Sequence, residues 1–263
     1  MRYLCLIRSF FVASAQGELA YRANFWISLL HSLLNLGGGV LGLWVLFGQV
    51  QQVQGWDFPA VLALLGIYLL LGALRSLFIG PSLDALAGMD GEIWRGVLDF
   101  TLLRPLDVQF QASLRHWRPL ALVDLALSLG VLGLALAGLH QSLALANLLA
   151  FLLALAAAVT ILYALALVFT SLVFISPGFL FTWVFDSLFQ MARYPVGVYP
   201  GWLRLVLTWV IPVGVMTTIP AQALVGAASP LALWGSLLLA LGMFVGASWV
   251  FRVGLRRYAS ASS

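Results

Sequence analysis

Five long apolar runs, parted by short polar breaks, dominate the chain: about 24–48, 59–80, 119–138, 143–172 and 231–252. Each reaches the roughly 20 helical residues needed to cross a bilayer's hydrocarbon core. Between 176 and 224 the pattern is less regular, because Pro195, Pro200, Pro212 and Pro220 interrupt it, and Pro removes a helical donor and clashes with the preceding turn. Either "SPGFLFTWVFDSLFQMARYP" crosses once and "GWLRLVLTWVIPVGVMTTIPAQALVG" forms a re-entrant hairpin, or the roles are reversed. Broken helices at membrane depth need protein or a cavity around them. Ahead of the first run, Tyr3, Leu4, Ile7, Phe10 and Phe11 recur at helical spacing with Arg2, Arg8 and Ser9 off that face. This predicts an amphipathic interfacial helix over 1–22. The early Arg and "ASA" also fit a secretory signal, but Arg8 interrupts its apolar core. The expected fold is an all-α polytopic membrane protein with six transmembrane helices, an N-terminal interfacial helix and a re-entrant region before the last helix.

Composition sharpens this picture. The 263 residues are 63% hydrophobic and 8% charged, with mean hydropathy +1.05, against about 25% charged residues in a soluble domain. A single cysteine, Cys5, excludes an internal disulfide framework and a multi-cysteine metal site. The net charge of +4 need not imply nucleic acid, since every basic residue is Arg and most stand at the ends of apolar runs, where they set membrane orientation. The short segments "QVQQVQGWDF", "GLHQS" and "GAASP" carry no Arg, whereas the N-terminus, the long loop over 81–118 and the C-terminus do. Both termini and the long loop are therefore expected in the cytoplasm, with the chain in the cytoplasmic (inner) membrane among its lipids and no nucleic acid bound. Six crossings satisfy this whichever half of the irregular region spans; charge alone favours the second half, which leaves Arg193 and Arg204 nearer the inside. The 81–118 loop is too small for a nucleotide-binding or catalytic domain, so 1–263 reads as one transmembrane domain.

Absent chemistry narrows the function further. Without any Lys, a G-x-x-x-x-G-K-[ST] phosphate loop cannot form. His31, His116 and His140 stand apart, with no acid or Cys at ligand spacing. They read as packing, loop or interfacial residues. No G-x-S-x-G elbow occurs. No catalytic residue and no metal site is expected, and any energy source must lie in another chain.

One stretch stands out: "GEIWRGVLDFTLLRPLD", in the long loop. Apolar Ile93, Trp94, Val97, Leu98, Leu102 and Leu103 alternate with Glu92, Arg95, Asp99 and Arg104 until Pro105 ends the run. The pattern predicts a short amphipathic helix with charges available to a partner. Together with "YRANFW", "GW" at 55–56, "YPVGVYPGWLR", "IPVGVMTTIPAQALVG" and the terminal "GLRRYAS", "GVLDFTLLRP" resembles the ABC-2 type permeases, specifically their uncharacterised paired-permease branch. The resemblance covers nearly the whole chain. It implies a transmembrane subunit of an ATP-driven exporter for a lipophilic or amphipathic substrate, paired with a second permease chain and with ATPase subunits that bind ATP and Mg. It also implies that the 81–118 loop carries a coupling helix, that the Pro-rich region is re-entrant, and that the first half of the irregular region is the fifth crossing. An ATP-independent channel or secondary transporter is the alternative; few ionisable groups lie in the spans to couple ions.

Candidate residues follow. Arg95, Asp99 and Arg104 are expected to couple to the ATPase, or else to form a solvated, lipid-anchoring loop face. Asp186 falls inside the first-half crossing, where an unpaired carboxylate costs about 2.5–3.5 kcal/mol, so it is either paired and structural or engaged in translocation or gating. Arg75 and Asp124 are expected to snorkel or to pair with each other. Gly38 and Gly42 form a G-x-x-x-G expected to pack a helix closely.

Overall fold

The computed structural model describes residues 2–19, 22–87, 91–93, 95–139, 144–176 and 181–258; Tyr21, Trp94, His140 and the 177–180 stretch lie outside them. Helix α1 (Arg2–Leu19) precedes α2 (Arg22–Phe47). A turn with Gln54 at φ 53° and Gly55 at φ 81°, closed by paired hydrogen bonds between Val53 and Trp56, then reverses the chain. The positive φ is what Gly55 supplies to the "GW" pair. Helix α3 (Phe58–Leu74) starts on an Asp57 cap, whose carboxylate accepts the Ala60 N–H at 3.1 Å.

The α3 span does not end where its apolar run ends. A π-helical turn (Arg75–Ile79) passes into α4 (Gly80–Ala87), so residues 81–87, expected in the loop, are helical. Pro81 causes the irregularity. It has no N–H to offer the Leu77 carbonyl one turn back, and the backbone N–H of Arg118 takes that carbonyl instead, at 2.8 Å. The break in one span is thus tied to the start of the next. Short α5 (Leu98–Leu102) and α6 (Val108–Leu114) follow, then α7 (Leu122–Gly138) and α8 (Leu145–Ser171). Residues 91–93 and 95–118 return to the end of α4 and the π-turn, through Glu92 and Ile93 N–H bonds to Ala85 and Leu86 and the Arg118 bond to Leu77; this is the loop end of the bundle.

Among the described residues, five helical stretches are long and apolar enough to cross a membrane: 23–47, 58–87, 119–138, 145–174 and 230–257. The last contains α12 (Pro230–Arg257). The 58–87 span is central, 61% buried over its most apolar window, while those containing α2 and α12 are 17% buried and peripheral. Their outward side chains, including Trp26, Leu34, Trp44, Trp234 and Trp249, are exposed, as suits contact with lipid. Helix α3 meets α7 closely at Gly66, where an added Cβ would stand 2.8 Å from Leu132 Cγ and 3.2 Å from its backbone nitrogen.

The irregular region holds α9 (Phe181–Gln190), α10 (Gly201–Leu205), a second π-turn (Val206–Val210) and α11 (Val213–Leu224). The 201–210 and 213–224 helices meet at 86°, so they form either a broken span or a re-entrant hairpin. Contacts of the preceding segment trace a path. Asp186 meets Arg75, Phe189 stacks on Tyr68, Arg193 lies beside Gly39 together with Leu65, and Gly197 approaches Gln54. Residues 181–198 thus run antiparallel to α3 over most of its length, as a helix broken by 3₁₀ turns at Met191–Arg193 and Val196–Val198. That path lies alongside α3, while the stretch whose length and composition would supply a sixth span among the described residues is the bent 201–224 pair, the half that charge favours.

The small-residue motif of α2 packs differently from expectation. Gly38 and Gly42 are exposed, and an added Cβ at either would touch nothing within 4 Å. The residues of α2 that bury are Ser32, Gly39 and Leu43, one helical face away. Among the described residues, nothing packs on the G-x-x-x-G. Gly66→Leu should therefore lower the thermal midpoint of the purified chain in detergent by roughly 2–10 °C, as overpacking costs about 1–3 kcal/mol. Gly38→Leu should leave it unchanged. A differential scanning fluorimetry comparison checks both, and equal losses would refute this account of α2.

Candidate functional site

Two features combine unusual chemistry: the segment over 91–115 and a cavity between the spans. In the first, Glu92 organises its surroundings. Its backbone N–H donates to Ala85 O at 2.9 Å, and Ile93 N–H donates to Leu86 O at 3.2 Å, so the segment is stitched onto α4. The Glu92 carbonyl accepts the N–H groups of Val97 and Leu98 at 2.9 and 3.2 Å, a tight return that uses Gly96 at φ 68°. Its carboxylate, almost wholly buried, accepts Thr101 Oγ1 at 2.8 Å and pairs with Arg115. A buried carboxylate with these partners is a structural clamp. Sequence reading took Glu92 as a charge available to a partner; it is consumed internally.

Held this way, α5 turns Leu98 and Thr101 inward and leaves Phe100 67% and Leu103 81% exposed. Arg95 and Arg104 are exposed on either side, and Asp99 is half-buried in the helix's first turn. The expected amphipathic helix is thus shorter than its motif, five residues, and its exposed face is apolar with basic flanks. Helix α6, capped by Asp107 on the Phe110 N–H at 2.8 Å, runs inward from there. Gln109 Nε2 donates to Ser248 Oγ at 2.9 Å and to Tyr163 Oη at 3.2 Å, and Ser113 Oγ lies 2.7 Å from Tyr163 Oη. A hydrogen-bonded route therefore runs from α5 through Glu92, Arg115 and α6 to α8 and α12. At its margin, burial and then the Arg115 guanidinium push the His116 imidazole below its ordinary value, with Glu92 opposing. The folded segment binds fewer protons than the unfolded chain near that value, so its stability falls as pH drops through the ordinary imidazole range.

The cavity, about 600 Å³, lies between α2, α3, α7 and α9. Its wall is polar for a chain this apolar: Ser28, His31, Asn35, Arg75, Asp124, Asp186 and Arg193 all face it. Asp186 pairs with Arg75 at 2.5 Å, and the Arg75 guanidinium also lies 5.1 Å from the Phe185 ring centroid. Arg75 thus pairs across to α9 and not with Asp124, as sequence had allowed, because Asp124 sits in the first turn of α7, where the helix dipole already favours a carboxylate. His31, read as a packing residue, is exposed on this wall. Sequence offered one signal for the cavity that was missed: Ser28, His31, Ser32 and Asn35 recur at helical spacing along α2. At the loop end, α1 straps the cavity's rim, with Glu18 pairing with Arg118 at 3.5 Å and accepting the Leu120 N–H at 3.0 Å, and Ser14 accepting Trp117 N–H at 3.1 Å.

A family model described as ABC-2 family transporter protein matches residues 33–262. The chain belongs to the ABC-2 transporter family. No curated protein matches it. As a family member it is a multi-pass membrane protein and the permease of an ABC transporter, a transport subunit of a class that generally works with ABC ATPase subunits. The match includes all of the 91–118 segment and most of the cavity wall, and only α1 and the first part of α2 precede it.

The clamp generates a prediction. Glu92→Ala should speed amide deuterium exchange across 95–106 by about tenfold or more, since hydrogen bonds to a charged group contribute about 1.5–3 kcal/mol. Exchange in the core of α8 should stay unchanged, and Glu92→Arg with Arg115→Glu should restore part of the protection lost in either single variant. Unaltered exchange in Glu92→Ala would remove the clamp.

Proposed function

We propose that this permease is the transmembrane subunit of an ATP-driven exporter that moves an amphipathic substrate outward. ATP and Mg are bound by ATPase subunits on separate chains, and a second permease chain, identical or paralogous, completes the complex. The chain lies in the cytoplasmic membrane with both termini and the loop end in the cytoplasm, a reading supported by the Arg residues concentrated there.

The observation that carries the proposal is the presentation of α5. A monomer in water has no reason to hold Phe100 and Leu103 out between two arginines, whereas a partner groove does: interface cores favour aromatic and apolar anchors, and basic rims set register. In this reading Arg95, Asp99 and Arg104 fix the docking of α5 on the ATPase. Closure of the ATPases pushes α5, and the Glu92 clamp passes the push to α6 and so to Tyr163 on α8 and Ser248 on α12. Asp186 serves gating, because its pair with Arg75 joins the central helix to α9 and must shift when the two separate.

Arg104→Glu should abolish export and sharply reduce ATPase co-purification, while membrane insertion and protein level persist. Truncating one member of a desolvated charge pair costs about 2–5 kcal/mol, and reversal costs more. Arg115 cannot serve as the control, because it holds Glu92. Arg256→Glu, exposed at the end of α12, is the control for lipid anchoring and should leave both readouts intact. If the two variants behave alike, α5 is not the docking element.

A further inference from the structure

Charges facing the cavity are not equally provided for. Arg75 has Asp186. Arg118 stands at the rim with Glu18. Asp124 occupies the first turn of α7, where the helix terminus favours it. Arg193 differs: among the described residues it makes no ion pair, and its hydrogen bond is a long one, 3.4 Å, to the Asn35 carbonyl. It is also deep. Its guanidinium lies 2.7 Å from where a Cβ on Gly39 would stand, beside Leu65 of α3. From Leu65 to Arg75 is about 15 Å along the helix at 1.5 Å per residue, so the guanidinium sits well above the loop-end rim. A side chain at 39 would displace it from this position.

An uncompensated Arg at membrane depth costs about 2.5–3.5 kcal/mol even on the lenient insertion scales. Asn35, Tyr68 and Gln190 share its stretch of cavity wall and can hydrogen-bond an oxyanion but cannot neutralise a cation. Phe189 and Leu69 line the same space with apolar surface, and α2, the outer wall, is the peripheral helix with its far side exposed.

We infer that the cavity is a binding site for an amphiphile with an oxyanion head, phosphate or carboxylate, whose charge is taken by Arg193 with Asn35 and Gln190 beside it and whose apolar tail lies toward α2 and the surrounding lipid. This deepens the exporter reading by naming the substrate's headgroup chemistry, and it rests on that reading only for the word substrate. Binding itself needs neither ATP nor the ATPase.

The test uses the purified full-length chain in mixed phosphatidylcholine and phosphatidylglycerol nanodiscs, with lipids retained after detergent extraction counted by native mass spectrometry. Wild type should retain phosphatidylglycerol over phosphatidylcholine by about tenfold beyond their input ratio, as expected for one charge-assisted hydrogen-bonded anion. Arg193→Gln should lose that preference, Arg193→Lys should keep most of it, and Arg256→Gln, a surface arginine at the loop end, should keep all of it. Equal loss in Arg193→Gln and Arg256→Gln would reduce the effect to surface attraction and overturn the site, as would an unchanged preference in Arg193→Gln. A third arm adds inorganic phosphate to protein in phosphatidylcholine alone: a rise in thermal midpoint that Arg193→Gln abolishes would assign the oxyanion to a free ion and overturn the amphiphile. Failure of any arm leaves ATPase association untouched, so the docking role of α5 and the lipid site stand or fall separately.

Discussion

A charge cannot stay alone among lipid tails, and the ion pair between Arg75 and Asp186 is where that constraint shapes this protein most. Arg75 belongs to the central helix and Asp186 to the short α9, a ten-residue helix that could not span a membrane on its own. Pairing them fixes α9 against α3, and the stacked Tyr68 and Phe189 continue the contact upward. The broken 181–198 segment is then held by side chains where a regular helix would be held by its own hydrogen bonds. The cavity follows from the same arrangement, since α9 stands off from α2 and α7 and leaves polar groups of all four helices facing one space.

The second constraint is backbone chemistry at Pro81. Its missing N–H frees the Leu77 carbonyl, the π-turn accommodates the loss, and the Arg118 N–H satisfies the orphan acceptor. That bond draws the beginning of α7 to the end of α3 and brings the 91–115 segment back over α4, where Glu92 can be buried against Arg115 and Thr101. The exposed face of α5 is a consequence of this clamp: with Leu98 and Thr101 turned inward, Phe100 and Leu103 have only the outside left.

Much of this was legible in the sequence, and the limit is physical. Apolar runs located the long helices, because hydropathy over 20 residues is a local property, but they stopped short where the second continues to 87 and the last to 257. The family was readable from "GVLDFTLLRP" and its companions, and the family model agrees. Partners of charges were not readable. Nothing in the spacing of Arg75, Asp124 and Asp186 shows that the first pairs with the third, and Glu92 in "GEIWRGV" looks like any loop carboxylate until the return at Gly96 buries it. Gly38 and Gly42 matched a motif whose meaning depends on which face of α2 turns inward, and Gly39 holds that face. Regularity hid the cavity as well, since four polar residues at helical spacing on α2 disappear in an average that is strongly apolar.

Arg75 and Asp186 act as one neutral unit between the central helix and α9. Thermal midpoints of the purified chain carrying Arg75→Asp, Asp186→Arg and both together test this directly. Each single variant places two like charges in contact and should lose several degrees, whereas the exchanged pair should recover at least half of that loss. Losses that simply add in the double variant would mean that the pair does not hold α9 against α3, and the placement of α9 and its cavity would need another origin.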